Sequence, residues 1–278
     1  MVMRKLKGKQ KIAAAAVLII LTAVFCWFQN NFITVSEYEY RSEMIAGGLD
    51  GYTIVHISDL HNKMFGKEQK RLISKIEDCH PDIIVVTGDI VDSADSENAI
   101  TFTEEAVKLA PVFYVTGNHE EYLDGEAFKK LTEQIEAAGA IWLSNETVEI
   151  TTYSGKKALT LTGLDNRNLQ DGTLSQLMGS IDHDNVMVLL AHQPQFIEFY
   201  AQQGPDIVFS GHAHGGQWRL PFIGGLIAPG QGFFPEYTEG SYVSGSTTMY
   251  ISRGLGNSIF PLRLFNCPEV VCAELKSQ

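Results

Sequence analysis

Seven side chains, carried by five short motifs, could together hold a pair of metal ions. The motifs are Asp59-Leu60-His61, Gly88-Asp89, Gly117-Asn118-His119, Ala191-His192 and Gly211-His212-Ala213-His214. Five of the eight histidines lie in them, and none of the four cysteines does. Carboxylate oxygen, amide oxygen and imidazole nitrogen suit manganese, zinc or iron(II), and the missing thiolates argue against a soft site. Two such cations about 3.5–4 Å apart clamp a phosphoryl oxygen and activate water. One carboxylate must then touch both, and Asp89, mid-order, is the candidate bridge. Taken singly each motif is weak, because Gly-Asp is a common turn and Asn118 could merely cap a helix. Their order and shared placement carry the argument.

That placement is the end of a strand. Asp59 closes the apolar run 52–57, Asp89 closes 82–87 and Asn118 closes 111–116. These three residues follow one another at the length of a βαβ unit, about 30 residues. Open α/β sheets bind ligands beyond the carboxyl ends of their strands, so three parallel strands would bring the three residues to one rim. Glycines 88, 117 and 211 allow sharp exits. Helical patterns follow the strands over 67–79, 97–109 and 124–138. Beyond Gly139 the chain turns strand-rich, with short runs at 141–143, 147–152, 158–163, 186–191, 207–210, 247–252 and 270–275. Helical stretches at 175–178 and 195–202 interrupt them. An α/β half followed by a strand-rich half implies two packed sheets with helices outside.

The motif order D-x-H, GD, GNH, lone His, GH-x-H resembles the calcineurin-like metallophosphoesterases, from about Gly51 to the C-terminus. The resemblance implies a four-layer αββα sandwich and hydrolysis of phosphodiesters or phosphomonoesters. It also implies two divalent ions: Asp59, His61, Asp89 and His214 on one, Asp89, Asn118, His192 and His212 on the other. His119 would be the general acid or would steady the phosphate. Gly211–Gln217 together with Ser252–Gly256 resembles a membrane-associated branch, which includes bacterial phosphodiesterases and enzymes similar to UDP-2,3-diacylglucosamine pyrophosphatase. The chain departs from the superfamily's protein phosphatases, since Gly88-Asp-Ile-Val-Asp92 is followed by Ser93 where they carry an arginine that grips phosphate. That disfavours a phosphoprotein substrate. Two rival functions remain: a non-catalytic metal-binding scaffold and a nuclease of the same superfamily.

Charge and hydropathy bear on the partners. Residues 1–11 carry five basic side chains and no acid, while the rest carries 16 basic against 33 acidic. So acidic a body repels a polyphosphate backbone, and no nucleic-acid partner is expected. Residues 12–28 hold no charge and as a helix would reach roughly 25 Å, a little short of the hydrocarbon core. A cytoplasmic basic tail (1–11), a single transmembrane anchor (12–28), a linker with an edge strand (29–50) and an extracytoplasmic catalytic domain (51–278) follow from the basic flank. A cleaved signal peptide is the competing reading, although Phe25, Cys26, Trp27 and Phe28 form a poor cleavage site. Cys267 and Cys272 lie an odd number of residues apart around a strand, which disfavours a local bridge.

The stretch 218–242 is rich in glycine and apolar residues and begins directly after the last motif. A long loop of this kind is often functional, here as a wall touching a lipid or other apolar part of a phosphate-ester substrate. His56, His80 and His183 are read as structural. Arg253 stands evenly between a phosphate contact and an ion pair. Asp165 and Asn166 end another strand without an assigned role.

Overall fold

A computed structural model describes residues 8–45, 47–151, 157–169, 171–181, 185–258 and 260–278. His183 and residues 1–7 of the basic tail lie outside the described residues. Helix α1 (Gly8–Asn31) contains the uncharged segment, and almost all its apolar side chains are exposed. Strand β1 (Thr34–Ser42) follows at once. The first sheet then gains β2 (Thr53–Ile57), β3 (Ile83–Val86), β4 (Val112–Tyr114) and β5 (Ile141–Trp142). Helices α2 (Lys70–Glu77), α3 (Glu97–Ala106), α4 (Asn118–Glu121) and α5 (Gly125–Ala137) lie between these strands. The second sheet is built from β6 (Glu146–Thr151), β7 (Lys157–Gly163), β8 (Val186–Leu190) and β9 (Ile207–Ser210), with α6 (Thr173–Met178) and α7 (Ile197–Gln202). Two small hairpins come next, β10 (Arg219–Leu220) with β11 (Gly224–Gly225) and β12 (Ile227–Ala228) with β13 (Gly232–Phe233). Strands β14 (Gly240–Ser244) and β15 (Thr247–Ile251) complete the second sheet, and β16 (Glu269–Ser277) returns to the first.

The sheet orders are β1-β16-β2-β3-β4-β5 and β14-β15-β9-β8-β7-β6, each six strands and each mixed. Strands β2 to β5 are parallel, as are β7, β8, β9 and β15. Alternation along the strands sorts the apolar side chains into layers. Ile83 and Val85 enter the core between the sheets with Leu161, Val188 and Phe209. Ile84 and Val86 face the other way, onto Leu72, Phe102 and Ile135 of α2, α3 and α5. On the second sheet Leu189, Val208 and Ile251 meet α6 and α7 through Leu174, Ile197 and Tyr200. The result is the expected αββα sandwich.

Two local expectations are amended. The helix expected over 67–79 starts only at Lys70, because Gln69 adopts a left-handed backbone (φ 55°) and folds its amide back onto Phe65 N and Lys63 O, each at 2.8 Å. The stretch 218–242 is not a plain loop: its glycines turn it into the two hairpins and the start of β14.

Candidate metal centre

The strand-end motifs meet on one rim. Asp59, His61, Asp89 and His214 place donor atoms within 4.8 Å of one another, and so do Asp89, His192 and His212. Asp89 is common to both groups. Asn118 joins the second through its Oδ1, 3.2 Å from His192 Nε2. All these side chains are buried except half-buried Asn118.

Parallel strands bring the loops together, and backbone hydrogen bonds lock them. Asp59 N donates to Gly88 O and His61 N to Asp89 O, each at 3.0 Å. The turns are tight enough that Asp59, His61, Asp89, His212 and His214 all have positive φ, between 47° and 64°. Asp and His tolerate that region better than most residues, at a cost on the order of 1–3 kcal/mol each. Gly88 (φ 83°) has no alternative, because a Cβ there would collide with the backbone of Gly117.

The imidazoles are oriented from behind. His192 Nδ1 lies 2.6 Å from Thr87 O, so it donates there and leaves the Nε2 lone pair facing the site. His61 Nδ1 contacts Asp92 Oδ1 at 2.5 Å, which likewise frees Nε2. That freed nitrogen lies 3.1 Å from His214 Nε2, and His212 Nδ1 lies 3.1 Å from His192 Nε2. Lone pairs facing each other at such distances repel unless a proton or a cation lies between them. The donor set therefore fits a pair of divalent ions, with outer hydrogen bonds that fix the His61 and His192 rings as metal-binding histidines require.

The electrostatics agree. Burial and the charge of His192 push the His212 pKa down to about 3. Burial, then the charges of His61 and Arg263, holds His214 well below its ordinary value. Both are thereby held in the neutral form that a metal-binding imidazole needs. Burial also works to lower His192, but the charge of Asp89 and their hydrogen bond outweigh it and carry the pKa up to about 10. A proton on Nε2 there stands in for a cation, so metal and proton compete for that nitrogen.

His119 sits differently. It is half-buried, with Nδ1 3.2 Å from Asp92 Oδ1 and Nε2 3.9 Å from Asp89 Oδ2. Burial acts to lower its pKa, but the Asp92 hydrogen bond and the charges of Asp89, Asp92 and Glu120 prevail and raise it. Ser258 Oγ lies 3.4 Å from its Nε2. Beside it opens an apolar cavity of about 280 Å³, lined by His214, Ile227, Pro229, Gly230, Ser258 and Phe260.

Sequence reasoning missed several supporting residues. One Asp92 oxygen serves both His61 and His119, and its signal was the second carboxylate of Gly88-Asp-Ile-Val-Asp92. Glu120 is fully buried and accepts from Asp89 N, Ile90 N and Gly117 N at 2.7–2.8 Å. Its only signal was adjacency to His119. Asn266 donates from Nδ2 to His214 O at 2.7 Å, and the buried Arg263 guanidinium lies 3.5 Å from His214 Nδ1. Neither had a local signal. Arg253 resolves as an ion pair, 3.1 Å from Glu269 and 3.4 Å from Glu239. Asp165 accepts from Thr116 and Ser144 behind the rim. His56 is buried and bonded to Thr87 Oγ1 at 2.7 Å.

Comparison with known proteins agrees with this geometry. A model of the calcineurin-like phosphoesterase family matches residues 52–216. A Bacillus subtilis metallophosphoesterase, YkuE, is 32% identical over 261 residues, 90% of this chain and 88% of its own. Phosphodiesterase YaeI of Escherichia coli is 31% identical over 240 residues, covering 81% and 82%. A transmembrane protein with metallophosphoesterase domain from Danio rerio is 28% identical over 259 residues, 87% of this chain and 57% of its own. The chain belongs to the calcineurin-like phosphoesterases and is a phosphoric ester hydrolase by family.

Proposed function

We propose that the chain is a membrane-anchored, metal-dependent phosphodiesterase whose substrate carries an apolar group close to the phosphate, with the catalytic domain outside the cytoplasm. One observation carries the reading: Asp89 belongs to both donor clusters, as a carboxylate shared by two cations must. Asp59, His61, Asp89 and His214 would hold one ion, and Asp89, Asn118, His192 and His212 the other. Manganese, zinc or iron(II) suits these donors. When bound, the pair supplies Lewis acidity and lowers the pKa of water.

The chain's own residues do the rest. Asp92 holds the His119 ring by Nδ1 and favours its protonated form. His119 Nε2 is then placed to give a proton to the departing ester oxygen. Ser93, in the place of an arginine clamp, speaks against phosphoproteins. The phosphodiesterase name of the Escherichia coli relative supports a diester. The cavity beside His214 supports an apolar substituent, such as that of a lipid-linked or envelope phosphate ester. The basic flank of α1 favours a cytoplasmic N-terminus and hence an outward-facing domain.

The test is turnover of a chromogenic phosphodiester by the full chain in detergent, stripped of metal and then reloaded with Mn²⁺. Metal-restored hydrolysis, faster on the diester than on the matching monoester, is expected. A reloaded protein that turns over neither compound sinks the proposal in favour of a scaffold.

A further inference from the structure

Helix α1 does not simply tether the domain, because its last turn is built into the loops behind the metal centre. A helix C-terminus leaves four carbonyls without intrahelical partners and favours nearby cations. Here Lys63 donates to Asn30 O and Arg71 to Asn31 O. Buried Gln29 accepts Asn266 N at 3.0 Å. Asn30 Oδ1 accepts Asn257 Nδ2 at 2.9 Å and Arg263 N at 3.1 Å. From these same residues the bonds run inward. Asn266 holds His214 O and Gln217 O, at 2.7 and 3.0 Å. Arg263 holds Gly256 O at 2.6 Å, and Gly256 N donates to Asp59 O at 2.6 Å. Helix end, residues Asn257, Arg263 and Asn266, and the backbone of Asp59 and His214 form one hydrogen-bonded unit.

That unit fixes a depth. The Phe25 ring lies 5.3 Å from the ring of Phe265. Phe25 precedes the end of the uncharged segment by three residues, about 5 Å of helix, and so lies within the part a bilayer must cover. Phe265 beside it then sits at the hydrocarbon boundary. The neighbouring hairpins are stitched to the same loop: Arg219 N donates to Leu264 O at 2.9 Å, and Trp218 Nε1 to Leu262 O at 3.0 Å. Among the described residues every exposed phenylalanine lies either in α1 and its exit (Phe25, Phe28, Phe32) or in these loops (Phe222, Phe233, Phe234, Phe260, Phe265). Phe222 and Phe233 are more than three-quarters exposed. So many bare apolar rings, continuous with a spanning helix, match an apolar face that buries itself at the headgroup–acyl boundary of a membrane.

We propose that the hairpins of 218–234 and the loop 260–267 form a bilayer-docking surface. It seats Phe222, Phe233, Phe234 and Phe265 in the headgroup–acyl boundary of the membrane that α1 crosses. The metal centre then works against that surface, on phosphate esters lying in the same leaflet. This rests on the membrane-anchor part of the proposed function and narrows its substrates to amphiphiles presented by a bilayer.

The test is photo-crosslinking of the full chain in vesicles of phosphatidylethanolamine and phosphatidylglycerol. A photoreactive benzoyl-phenylalanine replaces Phe265, Phe233 or, as control, exposed Ile141 in β5 at the far edge of the first sheet. Metal content of each variant checks that the domain is folded. Lipid adducts by mass spectrometry at 265 and 233, with none at 141, are expected. A chain that resists alkaline carbonate yet gives no lipid adduct at 265 and 233 overturns the docking surface and leaves the anchor standing. Adducts there to a second protein chain instead of lipid also overturn it, in favour of a protein interface. Release of the chain by carbonate removes the anchor itself.

Discussion

The two halves of the metal centre are held in different ways. Asp59, His61 and Asp89 stand on loops that brace one another, with Asn62 N donating to Ile90 O at 2.7 Å and buried Glu120 gathering Asp89 N, Ile90 N and Gly117 N. Those partners come from neighbouring βαβ units, although Asp59 O also accepts Gly256 N from the far end of the chain. The histidine half borrows its support from afar. His192 leans on Thr87 O, His212 N donates to the Asp59 carboxylate at 3.1 Å, and His214 is held by Asn266, which is held in turn by Gln29. The first half is thus a product of local topology. In the second, the brace on His214 is assembled only when the chain's two ends have met.

The most damaging way to probe the contrast is at the shared residue. Asp89→Asn keeps the shape but removes the charge common to both clusters, and should abolish metal retention and turnover together, as read by metal analysis and diester hydrolysis. Turnover near that of the parent would refute the shared role. His119→Ala comes next. It touches no ligand backbone support, so metal content should stay while turnover drops by about 10²–10⁴. The acid must be protonated, so activity is present below its pKa and is lost as pH rises through it. Asp92→Asn removes an influence that raises His119. It should therefore move the alkaline limb of the kcat profile to lower pH, and an unmoved limb would assign the proton to another group.

Asn266→Ala separates the halves. It takes the brace from His214 O and leaves the strand-end loops untouched. Outer-shell losses of this kind weaken metal affinity about 10–100-fold. The ion held by His214 should be lost first, and excess Mn²⁺ should restore activity. Gln29→Ala should act the same way more weakly, by leaving the Asn266 amide without its acceptor. Titration with metal at fixed protein concentration distinguishes them. If both ions weakened equally in Asn266→Ala, the brace would not act through His214 alone.

This contrast also explains what could be read from the sequence. The parallel strands behind Asp59, Asp89 and Asn118 announce themselves as short runs of β-branched and aromatic residues, because alternate residues fill cores on both faces. The types of the candidate donors and their strand-end positions were legible for the same reason. Glu120, Arg263, Asn266 and Gln29 were not. They have partners as far as 237 residues away, and no local period records such a pairing. The helix start at Lys70 was misplaced because Gln69 uses its side chain against the backbone, a competition that propensity does not register. Glycines in 218–242 marked turns correctly but could not say that the turns close hairpins against His214.

The smallest expected effect falls on that hairpin region. Phe233 and Phe234 are exposed and touch no ligand, and Phe234 N donates to Leu226 O through backbone alone. Replacing both by Ala should leave metal content, fold and turnover of a small soluble diester unchanged. Each loses apolar area that only an apolar surrounding could cover, at about 25 cal/mol per Å². The penalty should therefore appear only with long-chain substrates in vesicles, as a rise in the apparent KM at constant kcat. An equal loss on both substrates would mean that the rings shape the site itself. No loss on either would leave the strand-end half as the whole of the enzyme's recognition.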